Sequence, residues 1–316
     1  MKKWLTGLVV IIVILLGSIY IYIPSTLRIS DASYIHSSLN GVNRYLLDEN
    51  KWIRWWPTHD SINNQLNARE GQFTYNGYRY KVSKYLYNSL ELDIIQDNVK
   101  INSVIHVMHQ SRDSIAVYWN AAFTSSLNPV KRVRQYNQAK KIKDNMEDLL
   151  ISLKLFSEKT VNIYGFDIRQ IMSKDSTLIT TRFTSGDYPT TSDIYRLVNN
   201  LKTYAVSQGA KENNYPMLSV RKDTGNHFQT MVAIPLNKKL DGNGTIFPQR
   251  FVPWKTLTAE VRGGPYSISK AYEEMKIYTE DYQRESMAIP FESMITDRSI
   301  ETDTTKWITL ICQPVS

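Results

Sequence analysis

The residues of this chain that are best placed for chemistry lie near its C-terminal end. Glu292 lies on a predicted strand, and Tyr266 opens a predicted helix after the run Val261-Arg262-Gly263-Gly264-Pro265. A hydrolytic reaction needs an acid or a base, and the carboxyl group of Glu292 is the candidate here. The interpretation of Glu292 as a solvent-facing strand residue is at least as good, so a catalytic and a structural role both stay open.

Cysteine and histidine offer little further chemistry. Cys312 is the single cysteine, and it has no basic neighbour in sequence to activate it. We therefore expect a small buried apolar residue, with no disulfide and no cysteine metal site. His106 and His109 are three residues apart, which places them on opposite faces of a strand. We expect no metal and no cofactor.

Two copies of one layout position these residues. The segment Ser267–Arg284 has apolar residues at helical spacing, and Gly186-Asp187-Tyr188 upstream leads into a similar amphipathic helix. Thr230–Pro235 likewise matches Thr309–Pro314. The repeats, at about 178–236 and 246–316, predict a pseudo-twofold domain of β-α-β-β units. A groove along its axis is a common place for a ligand.

The second half resembles the GyrI-like family, the effector-binding domain of bacterial AraC-type activators. Arg262–Tyr266 is similar to its h-x-G-P-Y signature, Pro290-Phe291-Glu292 to the following strand, and Trp307–Val315 to its closing W-x-T-E-I-Y-x-P-V strand. The resemblance implies a pocket for small, often planar or cationic molecules. Because some members of that family are hydrolases of such molecules, the resemblance also implies hydrolysis as an alternative function.

The sequence departs from that pattern where the pocket acid would lie. The family's Glu falls on Leu310 and its Tyr on Cys312, while the first copy has Met231 and Ala233. A cation in an apolar pocket needs a carboxylate or an aromatic face, so we expect a small, mostly apolar ligand instead. The expected ligand-binding residues are Tyr188, Met231, Tyr266, Glu292, Met294, Leu310 and Cys312.

The first half, residues 27–157, predicts an α+β domain. Alternating strands precede a long helix at Pro129–Phe156, an order that predicts an antiparallel sheet wrapped around that helix. With Trp52-Ile53-Arg54-Trp55-Trp56-Pro57, this order resembles the START-like (SRPBCC, polyketide-cyclase-like) family. The resemblance implies a helix-grip fold with a hydrophobic cavity. The tryptophans would plug the core near the cavity mouth or, as the alternative, contact ligand.

The N-terminus predicts a transmembrane anchor over residues 1–24. Trp4–Ile23 has no charge and is long enough to span a bilayer. A cleaved signal peptide is the alternative, but no small-residue cleavage site follows. Lys2 and Lys3 place the N-terminus in the cytoplasm, so the domains at 27–157 and 161–316 would be extracytoplasmic. A strand at Val161–Ile171 opens the second domain.

The net charge of +8 favours anionic partners without selecting one. One side of the long helix is basic. This side is either a face exposed to water or a surface that contacts anionic lipid. Its residues are Lys131, Arg132, Arg134, Lys140, Lys141 and Lys143. No recognised motif for nucleic acid accompanies the charge.

These patterns favour a membrane-anchored, non-enzymatic protein that binds a small, mostly apolar ligand. One alternative is a GyrI-like hydrolase of small reactive or cationic compounds that uses Glu292 and Tyr266. The other is a structural or interaction module in which large side chains collapse the pockets. Regulation of transcription is disfavoured, because an apolar segment stands where a helix-turn-helix would precede the effector-like domain.

Overall fold

A computed structural model describes residues 2–57, 72–97, 99–174 and 176–316, without the side chains of residues 2, 3, 5, 6 and 9. Two compact units divide the chain, Met1–Lys159 and Thr160–Ser316. Among the described residues, no helix has the length and apolarity that a membrane crossing needs. The predicted span at Trp4–Ile23 therefore has no support from the structure.

The first unit is an antiparallel sheet with one long helix. Its elements are α1 (Lys2–Tyr22), β1 (Thr26–Ile35), α2 (Leu39–Leu46), a 3₁₀ helix (Glu49–Arg54), β2 (Gln72–Tyr75), β3 (Tyr78–Leu86), β4 (Ser89–Gln96), β5 (Val99–Ser111), β6 (Ser114–Thr124) and α3 (Pro129–Ser157). The strand order is β1-β6-β5-β4-β3-β2. Asn128 caps α3 through its side chain, and Pro129 occupies the first turn, where its missing N–H costs nothing.

Aromatic side chains fill the core of this unit. Trp52 and Trp56 stack with ring centroids 5.3 Å apart, and Trp56 also meets Tyr80 edge-on. Trp52, Trp55 and Trp56 are all buried. Trp52 Nε1 donates to the carbonyl of Leu46 at 2.7 Å, which satisfies a buried indole. The tryptophans thus form part of the core, as the first of the two interpretations predicts.

The basic side of α3 is smaller than predicted. Arg132 is buried, and its Nε donates to the carbonyl of Ile23 at 2.9 Å. Its guanidinium also lies over the ring of Tyr20. Arg132 is therefore corrected from a lipid-facing cation to a residue that fixes the end of α1. The other five cations are exposed, namely Lys131, Arg134, Lys140, Lys141 and Lys143.

The second unit is built on an eight-stranded antiparallel sheet. Its elements are α4 (Thr160–Tyr164), β7 (Arg169–Met172), β8 (Ser176–Ser185), α5 (Thr191–Ser207), β9 (Met217–Lys222), β10 (Phe228–Leu236), β11 (Phe247–Phe251), β12 (Lys255–Arg262), α6 (Pro265–Asp281), β13 (Phe291–Met294), a 3₁₀ helix (Thr304–Lys306) and β14 (Ile308–Pro314). The order β11-β8-β10-β9-β13-β14-β12-β7 places two β-α-β-β units side by side at β9 and β13. The predicted α+β class is confirmed.

The prediction of one strand over Val161–Ile171 is wrong. Helix α4 replaces its first part, and only β7 is extended. The ring of Tyr164 packs edge-on against Tyr278 of α6 at 5.1 Å, and its hydroxyl donates to Asp281. These contacts lie far apart in sequence, so the local apolar alternation could not reveal them.

Glycine is required at the turn between β12 and α6. Gly263 has φ +121°, a conformation that residues with a side chain rarely adopt. A Cβ atom on Gly263 would also lie 2.6 Å from Ser267 Oγ. Gly264 then acts as the N-cap and Pro265 begins α6. Glycine at position 263 is thus a steric requirement of this turn.

The two faces of this sheet differ. On one face, Ile194 and Val198 of α5 pack against Leu218, Val232 and other apolar strand residues to form a buried core. The register pairs Phe291 with Cys312 and Ser293 with both Leu310 and Met217. Because paired residues of antiparallel strands share a face, these five side chains lie together on the opposite side. We name it the helix-free face.

Candidate functional site

Two adjoining pockets lie on the helix-free face, with volumes of about 260 Å³ and about 480 Å³. Both are lined by Met217, Phe251 and Phe291. Met231 and Trp254 line the smaller pocket, and Leu310 and Cys312 line the larger. We call the two together the apolar groove. Its size suits a small organic molecule.

The curl of the sheet forms this groove. Phe251 and Phe291 meet edge-on with ring centroids 5.7 Å apart. Their strands, β11 and β13, are separated in the sheet by β8, β10 and β9. In a flat sheet four inter-strand steps of about 4.8 Å would keep these rings about 19 Å apart. The contact therefore requires a curled sheet, which leaves a concave apolar surface beneath the two rings.

The described residues of the groove include no carboxylate. Its charged lining residues are Lys174 and Arg250, both cations. Asp175, which follows Lys174 in the chain, lies outside the described residues. Binding a cation among apolar side chains requires a compensating negative charge. The described lining therefore favours neutral or anionic ligands over cationic ones.

Cys312 is unsuited to nucleophilic chemistry. Its side chain is buried, and burial raises the pKa of the thiol to about 12. Because the thiolate is the reactive form, a thiol with this pKa stays protonated and inert at neutral pH. Cys312 thus contributes apolar surface to the groove.

The structure divides the residues predicted to bind ligand between the two faces. Met231, Leu310 and Cys312 line the apolar groove. Met294 is 2% exposed and belongs to the core on the helix side. Tyr266 is 83% exposed at the first turn of α6 and is absent from the linings of the described pockets.

Tyr188 and Glu292 line a different pocket, which lies between α5 and α6 on the helix side of the sheet. We call it the interhelical pocket. Glu292 forms a buried ion pair there with Arg298, at 2.7 Å between Oε2 and Nη2. The pocket lining contains Glu292 and lacks Tyr266, so the described structure does not assemble the predicted acid–phenol pair.

Most of the groove lining escaped sequence reasoning, including Phe291, whose ring meets that of Phe251. Met217, Phe251 and Trp254 provide much of the lining. The available signal was the pair Phe247 and Phe251, four residues apart and just before β12. Its alternation is too short to define a strand by itself. The fold is what brings β11 over β13.

Comparisons with known proteins show likeness only to solved structures. No family model matches the chain, and no curated protein matches it. The C-terminal domain of EcmrR is 18% identical with a TM-score of 0.42, covering 48% of this chain and 98% of that one. SAV2435 bound to tetraphenylphosphonium is 18% identical with a TM-score of 0.31, covering 47% and 93%. Both have GyrI-like effector-binding folds.

A hydrolase from Listeria innocua is 11% identical with a TM-score of 0.36, and the alignment covers 47% of this chain and 91% of that one. Identities and scores this low assign neither ligand nor activity to this chain. The START-like resemblance of the first half has no counterpart in these comparisons and stays a prediction. The function must therefore be argued from the chain's own geometry.

Proposed function

We propose that this protein binds a small, mostly apolar molecule in the apolar groove and does not transform it. The observation that carries the proposal is the contact between Phe251 and Phe291, which encloses apolar surface on the helix-free face. Water in the smaller pocket of the groove has few polar partners, so an apolar ligand that displaces this water gains free energy. Lys174 and Arg250 would tolerate an anionic group on that ligand.

The competing functions have less support. A hydrolase would need Glu292 as a base, but the strand register places this carboxylate on the helix side of the sheet, in a buried ion pair with Arg298. The single thiol of the groove is protonated, as its raised pKa requires. A module with collapsed pockets would lack open volume, whereas the groove has pockets of about 260 Å³ and about 480 Å³.

A dye titration of the full chain tests the proposal. Nile red is neutral, apolar and brighter in apolar surroundings, so we expect saturable fluorescence. Phe251→Ala removes groove surface and should weaken binding about tenfold. Phe247→Ala is the matched control, because Phe247 lies on the same strand and is absent from the lining of either pocket. Equal affinity in both variants, or no saturable signal, would refute the proposal.

Membrane attachment is a proposal that rests on sequence alone. The uncharged run Trp4–Ile23 would anchor the chain, with Lys2 and Lys3 on the cytoplasmic side and both domains outside it. The exposed cations of α3, such as Lys140 and Lys143, would then meet anionic headgroups. Washing membranes with alkaline carbonate tests the anchor. Release of the protein into the soluble fraction would overturn it.

A further inference from the structure

The end of α1 and the start of α3 lie side by side. Tyr20, in the last turn of α1, donates a hydrogen bond from its hydroxyl to the carbonyl oxygen of Leu127. Arg132 Nε donates to the carbonyl oxygen of Ile23 at 2.9 Å, and its guanidinium lies over the ring of Tyr20. Because these contacts join the two helix ends, the position of one end fixes the position of the other.

The middle of α1 is apolar and uncovered. Every side chain from Val10 to Leu16 is apolar and between 41% and 64% exposed. A helix with apolar side chains on all sides needs an apolar environment on all sides, and the described residues of this unit leave these seven uncovered. The inference below rests on the membrane attachment proposed above, in which lipid surrounds this part of α1.

Exposed apolar side chains continue at the start of α3. Leu127 is 85% exposed and Val130 is 60% exposed. The hydrogen bond from Tyr20 places Leu127 at the level of the last turn of α1. Tyrosine at the end of a membrane helix typically lies at the boundary between lipid and water. If α1 enters a bilayer, Leu127 therefore lies at that boundary as well.

The charges beside these apolar residues suit an anionic membrane surface. Lys131 and Arg134 lie in the first two turns of α3, and both are exposed. The sequence from Ser114 to Lys143 contains no aspartate or glutamate that could offset them. Cations held this close to anionic headgroups are attracted to them with little screening by salt.

We propose that the start of α3, residues 126–134, is a docking surface for a bilayer that contains anionic phospholipid. The side chains of Leu127 and Val130 enter the boundary between headgroups and acyl chains, and Lys131 and Arg134 bind the phosphate groups. The first unit is thus held against the membrane by its own surface as well as by α1.

The far end of α3 provides a matched control position. Glu158, just after the helix, accepts a hydrogen bond from the backbone N–H of His36 at 3.1 Å. His36 follows the last residue of β1, whereas β1 begins at Thr26, close to the end of α1. Leu155 is 60% exposed, as Val130 is, but it lies about 37 Å further along the helix axis. It should therefore stay in water.

Fluorescence quenching of the full chain in lipid nanodiscs tests the docking surface. The variants Leu127→Cys and Leu155→Cys are labelled with nitrobenzoxadiazole, and the native Cys312 is buried and should stay unlabelled. In an equal mixture of phosphatidylcholine and phosphatidylglycerol, spin-labelled lipid should quench the probe at position 127 at least about fivefold more than the probe at position 155. Adding Lys131→Gln and Arg134→Gln, or removing phosphatidylglycerol, should reduce the quenching at position 127.

A probe on α1 separates docking from attachment. Val13→Cys, labelled in the same way, lies in the uncovered apolar part of α1 and reports whether this helix is in lipid. Quenching at position 13 without quenching at position 127 would overturn the docking surface and leave the attachment standing. No quenching at position 13 would refute the attachment and the docking surface together. Equal quenching at positions 127 and 155, or quenching at position 127 that ignores the charge changes, would overturn the docking surface as described.

Discussion

Arg298 Nη2 lies 2.7 Å from Glu292 Oε2, and both side chains are 7% exposed. The arginine sits in the turn after β13 and also bonds Thr309 on β14. It therefore ties two strands and the intervening turn together. The sequence left two roles open for Glu292, a candidate catalytic acid or a solvent-facing strand residue. The structure makes it half of a buried ion pair, where a lost partner would leave an uncompensated charge.

Breaking this pair should destabilise the protein strongly. Arg298→Met should lower the free energy of unfolding by about 3–5 kcal/mol, because Glu292 is left charged and buried. Urea unfolding measures the change. The double variant Arg298→Met/Glu292→Met should recover most of the loss, since no charge stays buried.

An exposed pair provides the control. Lys276 and Glu280 lie one turn apart on α6, 3.9 Å from each other and largely exposed. Glu280→Gln should change the free energy of unfolding by no more than about 0.5 kcal/mol. If Arg298→Met cost as little as this control, the pair would not be the buried structural link described above.

Native Cys312 should resist alkylation. With the thiol pKa raised to about 12, its thiolate fraction at pH 8 is about a thousandfold below that of an ordinary thiol of pKa near 9. Iodoacetamide should therefore react with the native chain more than about a hundredfold more slowly than with the chain in urea. Mass spectrometry measures both rates, and Cys312 is the single cysteine.

The same raised pKa of Cys312 contributes to the pH dependence of stability. The folded thiol keeps its proton above the pH at which the unfolded thiol, with pKa near 9, loses it. The stabilisation that the buried thiol contributes to the folded state is therefore fully present below about pH 9. It is lost as the pH rises towards about 12. Cys312→Ala should reduce this alkaline loss. Rapid alkylation of the native chain at pH 8 would contradict both expectations.

A carboxylate placed in the groove should change its selectivity. Leu310 lines the larger groove pocket, on the same face as Cys312. Leu310→Glu should raise affinity for tetraphenylphosphonium at least about tenfold, through attraction in a site of reduced dielectric constant. Leu310→Gln, similar in size but uncharged, is the control. Equal gains in both variants, measured by calorimetry, would show that charge does not decide ligand choice in the groove.

Alanine should be poorly tolerated at the turn before α6. Gly263 has φ +121° and a Cβ there would meet Ser267 Oγ at 2.6 Å, so Gly263→Ala should cost about 1–3 kcal/mol of unfolding free energy. Gly186 lies at the corresponding turn of the first repeat, with open space around it. Gly186→Ala should be nearly neutral. Similar losses in the two variants, measured by thermal unfolding, would argue against a special conformation at Gly263.

The repeated layout of the second unit could be predicted because its signals are local. Apolar spacing marks α5 and α6, and the paired glycine turns mark where each helix follows a strand. Alternation along β14 also places Leu310 and Cys312 on one face, as the structure shows. These features depend on residues close in sequence.

The site depends on contacts that local patterns do not contain. Glu292 and Arg298 are six residues apart, but the arginine lies in a turn with no periodicity. Phe251 reaches Phe291 only because the whole sheet curls. Arg132 had the spacing of a solvated helix face, yet it bonds the carbonyl of Ile23, more than one hundred residues earlier. Each error follows from a tertiary contact that overrides a local pattern.

Photo-crosslinking tests the central claim, an apolar ligand in the groove of the helix-free face, most directly. The full chain is irradiated with a neutral aryl diazirine, and the labelled residues are mapped by mass spectrometry. We predict labels on Met217, Phe251 and Phe291, the residues shared by both groove pockets. We also predict that added Nile red reduces this labelling. Labels confined to Tyr188 and Tyr272 of the interhelical pocket, or labelling that Nile red does not reduce, would contradict the account.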